Sequence, residues 1–404
     1  MSLTTYLKGI TQKEKKFCSI IKRIQPSSSE FSTLTNKPAF SKSLNIKVPY
    51  KLDYSYQAMR VGTAFDYLAR FQVAQVIRNN KEKVYINMVA ENFFILFGRN
   101  RIEEKLLNNL KVEFEKAIET IKGFIYSDKE IDKTIIYYAN YLAKLEQCSR
   151  SLMLPKNGAE SLLNDVEENI ENDLFKLCIT FKECFVEKIV SRESIVIFNP
   201  KFGKCSFLVG GADADLYVDG TLYDFKVTNK YNYKGKDIQQ IMAYYLFQQM
   251  NLKFNDYSSS FVPRYKEPLE ITKVGIYLAR YGEINYIDVS YIDEATKEKC
   301  IEDIIKLFTD DDYIKEYIRC KERLELRKKD NKSRLVKEEK EHLQAKLDGL
   351  SKRDDEIVII TPNGTTFHTN EQCISLIRSK NKIKVNVCNA IKANKINKCK
   401  NCDL

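Results

Sequence analysis

Residues 209 to 230 read VGGADADLYVDGTLYDFKVTNK, and the placement of their carboxylates decides the fold. Acidic side chains pack poorly on a half-buried pleated surface and are depleted in strands. Yet Asp213, Asp215 and Asp224 fall on or beside two short strand-like runs. Asp219-Gly220 between the runs is a strong two-residue hairpin signal, because both positions of such a turn need a positive φ. In an extended chain Asp224 and Lys226 lie on one face, about 7 Å apart, with Phe225 and Val227 on the core face. Asp213 and Asp215 likewise share a face, opposite Ala214, Leu216 and Val218. Folded at the hairpin, the runs bring a carboxylate of the first within roughly 4.5 to 5.5 Å of Asp224 on the second. Carboxylates at that separation repel one another unless a cation lies between them.

Working outward, ESIVIFNP, CSFLVGGADADLYVDG and TLYDFKVT read as three short strands, and EITKVGIYLARYGEINYIDVSYI as a further pair. KDIQQIMAYYLFQQMN between them has helical spacing, as do residues 12 to 24, 56 to 79, 101 to 150 and 167 to 190. Leu106, Leu110 and Phe114 supply one buried stripe. Helices, a strand meander, a helix and more strands predict an α/β fold with a mixed sheet flanked by helices. Residues 292 to 355 are charge-dense and helical, with Val336, Leu343, Leu347 and Leu350 on one stripe, and read as an arm that can carry a protein partner or an oligomer contact. In a chain of 404 residues this predicts a main domain over 1–290 with a helical insertion at about 100–185, an arm over 291–355 and a small module over 356–404. No uncharged run approaches the roughly 18 residues of a membrane helix, and no leader is evident, so a cytoplasmic protein with no membrane partner is expected. The net charge of +11 favours polyanionic partners, and the eleven cysteines read as reduced thiols or metal ligands.

Magnesium or manganese suits paired carboxylates, because such an ion binds through one or two of them and completes its shell with water and phosphate oxygens. Lys226 beside it can orient or deprotonate an attacking water and neutralise developing charge. Downstream, Gln240 and Tyr244 stand four apart on one helix face. Asp215 or Asp213, Asp224-Phe225-Lys226 and Gln240-Ile-Met-Ala-Tyr244 together resemble the metal motif, the D/E-x-K motif and the Q-x-x-x-Y helix of the PD-(D/E)XK nuclease superfamily. The nearest resemblance is to its RecB-like and Cas4-like branch. It covers about residues 56 to 80 and 190 to 290, and implies a restriction-endonuclease-like core. It also implies a metal held by Asp215, Asp224 and the Phe225 carbonyl, with Gln240 and Tyr244 touching substrate or bracing the lysine. RVGTAFDYLARF is similar to the leading motif of that family, but Asp66 stands where many relatives carry histidine. Asp215 is the preferred first acid and Asp213 the second candidate.

The C-terminal segment carries a separate signal. Cys399-x-x-Cys402 has zinc-knuckle spacing, and His368-x4-Cys373 supplies a second pair, with Cys388 able to replace His368. So short a segment buries little apolar surface, and a structural zinc ion would staple it. Residues 357 to 404 hold eight Lys and Arg against Glu371 and Asp403, a surface suited to phosphate backbones. The pattern resembles, over few residues, the small Cys/His zinc domains of DNA-repair proteins. The expected function is a divalent-metal-dependent nuclease acting on nucleic acid, DNA first, in repair or anti-phage defence. The alternative is a non-catalytic nucleic-acid- or partner-binding protein that keeps the fold.

Overall fold

In the computed structural model of the chain, strands β1 (Ser32–Thr33), β2 (Val196–Phe198), β3 (Leu216–Val218), β4 (Thr221–Lys226), β5 (Lys273–Leu278) and β6 (Glu283–Asp288) form one sheet in the order β1-β6-β5-β4-β3-β2. The ribbon β3–β4 is antiparallel, with Leu216 opposite Tyr223. Its turn holds Asp219 at φ 44° and Gly220 at φ 90°, the positive pair that a two-residue hairpin demands. Asp219 also accepts a hydrogen bond from the Ile195 N–H through Oδ1, at 2.7 Å, which ties β2 to the ribbon. A Cβ at Gly220 would lie 2.7 Å from the Thr272 hydroxyl, in a backbone region that side chains rarely adopt. Gly220→Ala is therefore expected to cost about 1–3 kcal/mol, measured as a lowered urea midpoint with an unchanged slope.

The described residues are 3–41, 44–78, 88–97, 101–254, 258–261, 268–319, and 352–402 apart from 354 and 378, with a few more between 322 and 350. Among the strands, β4 and β5 pair in parallel and every other neighbouring pair is antiparallel, so the sheet is mixed. A parallel pair needs a crossover, and the helix Gly235–Phe254 lies in it. The helices Ser55–Ile77, Lys133–Ser151 and Glu168–Phe181 pack together beside the sheet. Phe225 points into their common core, where its ring centroid lies 5.5 Å from that of Phe181 and 5.8 Å from that of Tyr277. The helix Glu168–Phe181 is tied to the segment after β5 by Arg280, whose two terminal nitrogens meet both oxygens of Asp173 at 2.8 and 2.6 Å, all buried.

Three sequence expectations are corrected. CSFLVGG is not strand: Gly203–Val209 is a 3-10 helix, and β3 begins only at Leu216. Cys205, Leu208 and Val209 satisfy a strand-like apolar run equally well from a tight helix, because short runs do not define a period. In the helix Glu104–Ile125 the fully buried line is Leu107, Leu110, Ala117 and Ile121, while Leu106 and Phe114 are half-buried at its edge. The first compact unit runs from Met1 to Ile314, past the boundary drawn at 290, because the helix Glu294–Leu307 packs on the helices Gln12–Lys22 and Gly235–Phe254.

The second unit, Lys315–Leu404, is a small α/β module. β7 (Ile357–Ile360) pairs antiparallel with β9 (Ile383–Asn386), and β8 (Thr366–Phe367) pairs in parallel with β10 (Asn397–Lys398). Alternation along β7 sends Val358 and Ile360 into a core with Leu350, Phe367 and Val387, and Ile359 to the other face beside Cys373, Cys399 and Cys402. Val336, Leu343 and Leu347 of the arm's stripe, together with Arg378 and Asp403, lie outside the described residues. Among the described residues no helix is long and apolar enough to cross a membrane.

Candidate active site and metal centre

Extending the β3–β4 register by one residue sets Asp215 opposite Asp224. Asp215 Oδ2 accepts a hydrogen bond from the Phe225 N–H, which holds its carboxylate against the strand that carries Asp224. Asp224 is 2% exposed, and its Oδ2 lies 2.6 Å from Lys226 Nζ. The same ammonium donates to Gln240 Oε1 at 3.1 Å, and Gln240 Nε2 donates to the Tyr244 hydroxyl at 2.7 Å. Tyr244 stacks on Phe202 with centroids 5.1 Å apart. Gln240 and Tyr244 are buried, with Gln240 linking the Lys226 ammonium to the Tyr244 hydroxyl.

The electrostatics follow from this crowding. Burial pushes the Asp215 carboxyl well above its ordinary range, and the neighbouring charges of Asp224 and Asp66 push it further. Burial also raises Asp224, against the opposing pull of Lys226. Burial works against the charge of Lys226, but Asp224, Asp237 and Asp215 outweigh it and raise the amine above the usual lysine range. The three carboxylates around it thus favour the charged form of Lys226. Burial keeps Tyr244 a phenol, well above the ordinary tyrosine range, with Asp224, Asp213 and Asp215 acting in the same direction.

Asp213 stands apart from this pair. It forms an isolated bridge with Lys201, its side chain is 37% exposed, and Oδ2 lies 3.7 Å from Arg150. Asp66, on the helix Ser55–Ile77, pairs with Arg70 at 2.6 Å through Oδ2, while its Oδ1 is buried with no hydrogen-bond partner. Burial moves its carboxyl up to about 6, partly offset by Arg70. Carboxylate oxygens are the donor type that magnesium and manganese take. Asp66, Asp215 and Asp224 lie in mutual electrostatic reach, and Asp66 Oδ1 and, apart from its ion pair with Lys226, Asp224 Oδ2 are buried without a hydrogen-bond partner. Their oxygens do not converge as closely as the C-terminal ligands do. Sequence reasoning missed Arg70, Glu146, Arg150 and Asp237. Helix spacing left a local signal for Arg70, four from Asp66, for the pair Glu146 and Arg150, also four apart, and for Asp237, three before Gln240, but only tertiary packing brings Glu146 and Arg150 to the site.

Among the described residues, one group of three or more Cys, His, Asp and Glu side chains has all its donor atoms within 4.8 Å of one another: His368, Cys373, Cys399 and Cys402, all buried. Cys373 Sγ lies 3.8 Å from Cys399 Sγ, and Cys402 Sγ lies 3.5 Å from His368 Nδ1. A tetrahedral ion with Zn–S and Zn–N bonds of ordinary length has edges of about 3.8 Å between sulfurs and about 3.6 Å from sulfur to nitrogen. The group is therefore spaced to hold a metal such as zinc. His368 is fixed by paired backbone hydrogen bonds with Ile359, both at 2.8 Å, and Cys399 by its N–H to the Phe367 carbonyl at 2.8 Å. Cys388, on the helix Val387–Lys392, is not in the group. No protein-family model, curated protein or solved structure matches this chain.

Proposed function

We propose that the first unit is a divalent-metal-dependent nuclease of the PD-(D/E)XK type that hydrolyses phosphodiester bonds of nucleic acid, DNA first. The observation that carries this reading is the seating of Lys226 between Asp224 and Gln240, beside a second carboxylate held across the ribbon. Asp215 and Asp224 would hold the ion, with Asp66 as the third carboxylate. A bound Mg²⁺ or Mn²⁺ supplies polarisation of the phosphodiester and a lowered pKa for water. Lys226, charged and aimed by Gln240, orients the attacking water and offsets the negative charge that builds on the phosphorus oxygens. Tyr244 keeps Gln240 in place and touches no reacting atom. In the second unit a zinc ion on His368, Cys373, Cys399 and Cys402 would staple a lysine-rich surface suited to phosphate backbones. Incubating the protein with linear and circular DNA should give cleavage with Mg²⁺ or Mn²⁺ and none with EDTA. Cleavage that persists in chelator rejects the assignment.

The second reading, a binding protein that retains the fold without turnover, is favoured by one observation: Asp224 and Asp66 are each already paired with a cation, Lys226 and Arg70. Tight DNA binding with no product across Mg²⁺, Mn²⁺ and Ca²⁺ would select it.

A further inference from the structure

The helix Lys133–Ser151 faces Asp213 with Arg150, and elsewhere on its surface Lys144, Gln147 and Ser151 line a groove of about 660 Å³. Tyr56 and Arg60 form another side of this groove, and the segment that follows the helix, with Lys156, a third. We propose that this groove is a binding site for a nucleoside phosphate, either a free nucleotide or a nucleotide at an unpaired strand end. The site is separate from the acid pair, and the proposal does not require that cleavage occur there.

Two unsatisfied donors carry the argument. Arg60 Nε and Gln147 Nε2 are both buried without a hydrogen-bond partner, and both residues line the groove. A buried donor left unpaired is destabilising, and an acceptor-rich ligand removes that cost. Charge points the same way. Glu167 holds Arg60 through Nη1 at 3.2 Å, which leaves Nε free for another acceptor. The Lys144 amine is brought down to about 8 by burial and by the like charge of Arg60, against the weaker opposing effect of Glu167 and Asp165. The Lys144 amine donates to the carbonyls of Ser161, Leu162 and Asn164 at 3.4, 3.4 and 2.8 Å, and Asp165 and Glu167 also line the groove, so the cations open to an anion are Arg60 and, at the exposed rim, Lys156.

The planar groups select among anions. Tyr54 and Tyr56 stack at 5.5 Å with 11° between their rings, and the Arg60 guanidinium lies 5.4 Å from the Tyr56 centroid. Tyr54 is 60% exposed and Tyr56 47% exposed. A base adds to such a ladder of flat groups, whereas an inorganic anion or an aliphatic carboxylate gains nothing from it. The volume also falls within the roughly 300–1,000 Å³ of small-ligand sites.

The test uses the full chain carrying Asp224→Asn, with no added Mg²⁺ or Mn²⁺ and no chelator, so that nuclease chemistry plays no part and any zinc of the second unit is kept. A fluorescein-labelled oligothymidylate and fluorescent ATP are titrated separately, and binding is read by anisotropy. At least one probe should bind, and Arg60→Gln or Gln147→Leu should weaken it about tenfold, with the thermal midpoint retained. Lys156→Glu, at an exposed position, gives the same readout should either buried variant fail to fold. Loss confined to ATP identifies a free nucleotide, and loss confined to the oligonucleotide identifies a strand end. If the parent binds neither probe at millimolar concentration, or if all folded variants bind as the parent does, the site is not a nucleotide site.

Discussion

Asp224→Asn should reduce metal-dependent DNA cleavage by on the order of 10³-fold or more while leaving the protein folded. The carboxylate is 2% exposed, and burial, with Asp237 and Asp213, opposes its charge while Lys226 at 2.6 Å favours it, so the amide removes the burial cost and loses the ion pair, two effects of opposite sign. The thermal midpoint of this variant should therefore stay near that of the parent. Lys226→Met should abolish cleavage to a similar degree but also destabilise the fold, by about 3–5 kcal/mol, because it strips the cation from a buried carboxylate. The pair of variants separates chemistry from architecture: one loses activity at constant stability, and the other loses both. Divalent ions add a further readout. An ion that binds the folded acid pair raises the midpoint by mass action, about 2.7 kcal/mol at a hundred times its dissociation constant, and Asp224→Asn should abolish that rise. A parent whose midpoint does not respond to Mg²⁺ or Mn²⁺, and a variant that still cleaves, would both contradict the assignment.

The other large effect belongs to the second unit. Among the described residues its cores are small, six buried residues in one cluster and five in the other, and three of those five are cysteines of the metal group. Zinc binding to such modules is worth roughly 10–16 kcal/mol near neutral pH, more than cores of this size supply. Cys399→Ser, or removal of the ion with a strong chelator, should unfold residues 356 to 402 and leave the melting of the first unit unchanged. Limited proteolysis and a zinc assay, with one equivalent expected per chain, check this. Cys388→Ser should change neither. A zinc content of zero in protein purified without chelator, with the second unit still protease-resistant, would remove the metal from the account.

The site was legible where chemistry and local geometry coincide. Asp219-Gly220 can be read as a turn because few residues accept its two positive φ angles, and once it is placed Asp224, Lys226 and the opposing acid follow from the two-residue period. Gln240 and Tyr244 follow from helix spacing alone. What could not be read depends on where the helices dock. Glu146 and Arg150 reach Asp66 and Asp213 only because the helix Lys133–Ser151 packs beside the helix Ser55–Ile77, and their spacing of four in YLAKLEQCSRS does not tell where that face docks. The boundary at 314 was hidden for the same reason. The charged helix Glu294–Leu307 looks solvated by composition, yet its buried residues Cys300, Ile301 and Ile304 lie on the face turned to the rest of the unit. Between Asp213 and Asp215 the sequence offered a choice that only the register and the contact to Arg150 separate.

The edge strand β1 pairs Ser32 with Tyr286 and Thr33 with Asn285. During synthesis that strand leaves the ribosome more than 250 residues before its partner, whereas the β3–β4 ribbon closes on itself at once. The acids and lysine are thus assembled on a half-built scaffold, and the sheet is sealed only by the last of its strands to emerge. Truncation anywhere short of Asp288 leaves an edge waiting for a strand that never arrives, and such nascent chains should need a chaperone to stay out of aggregates.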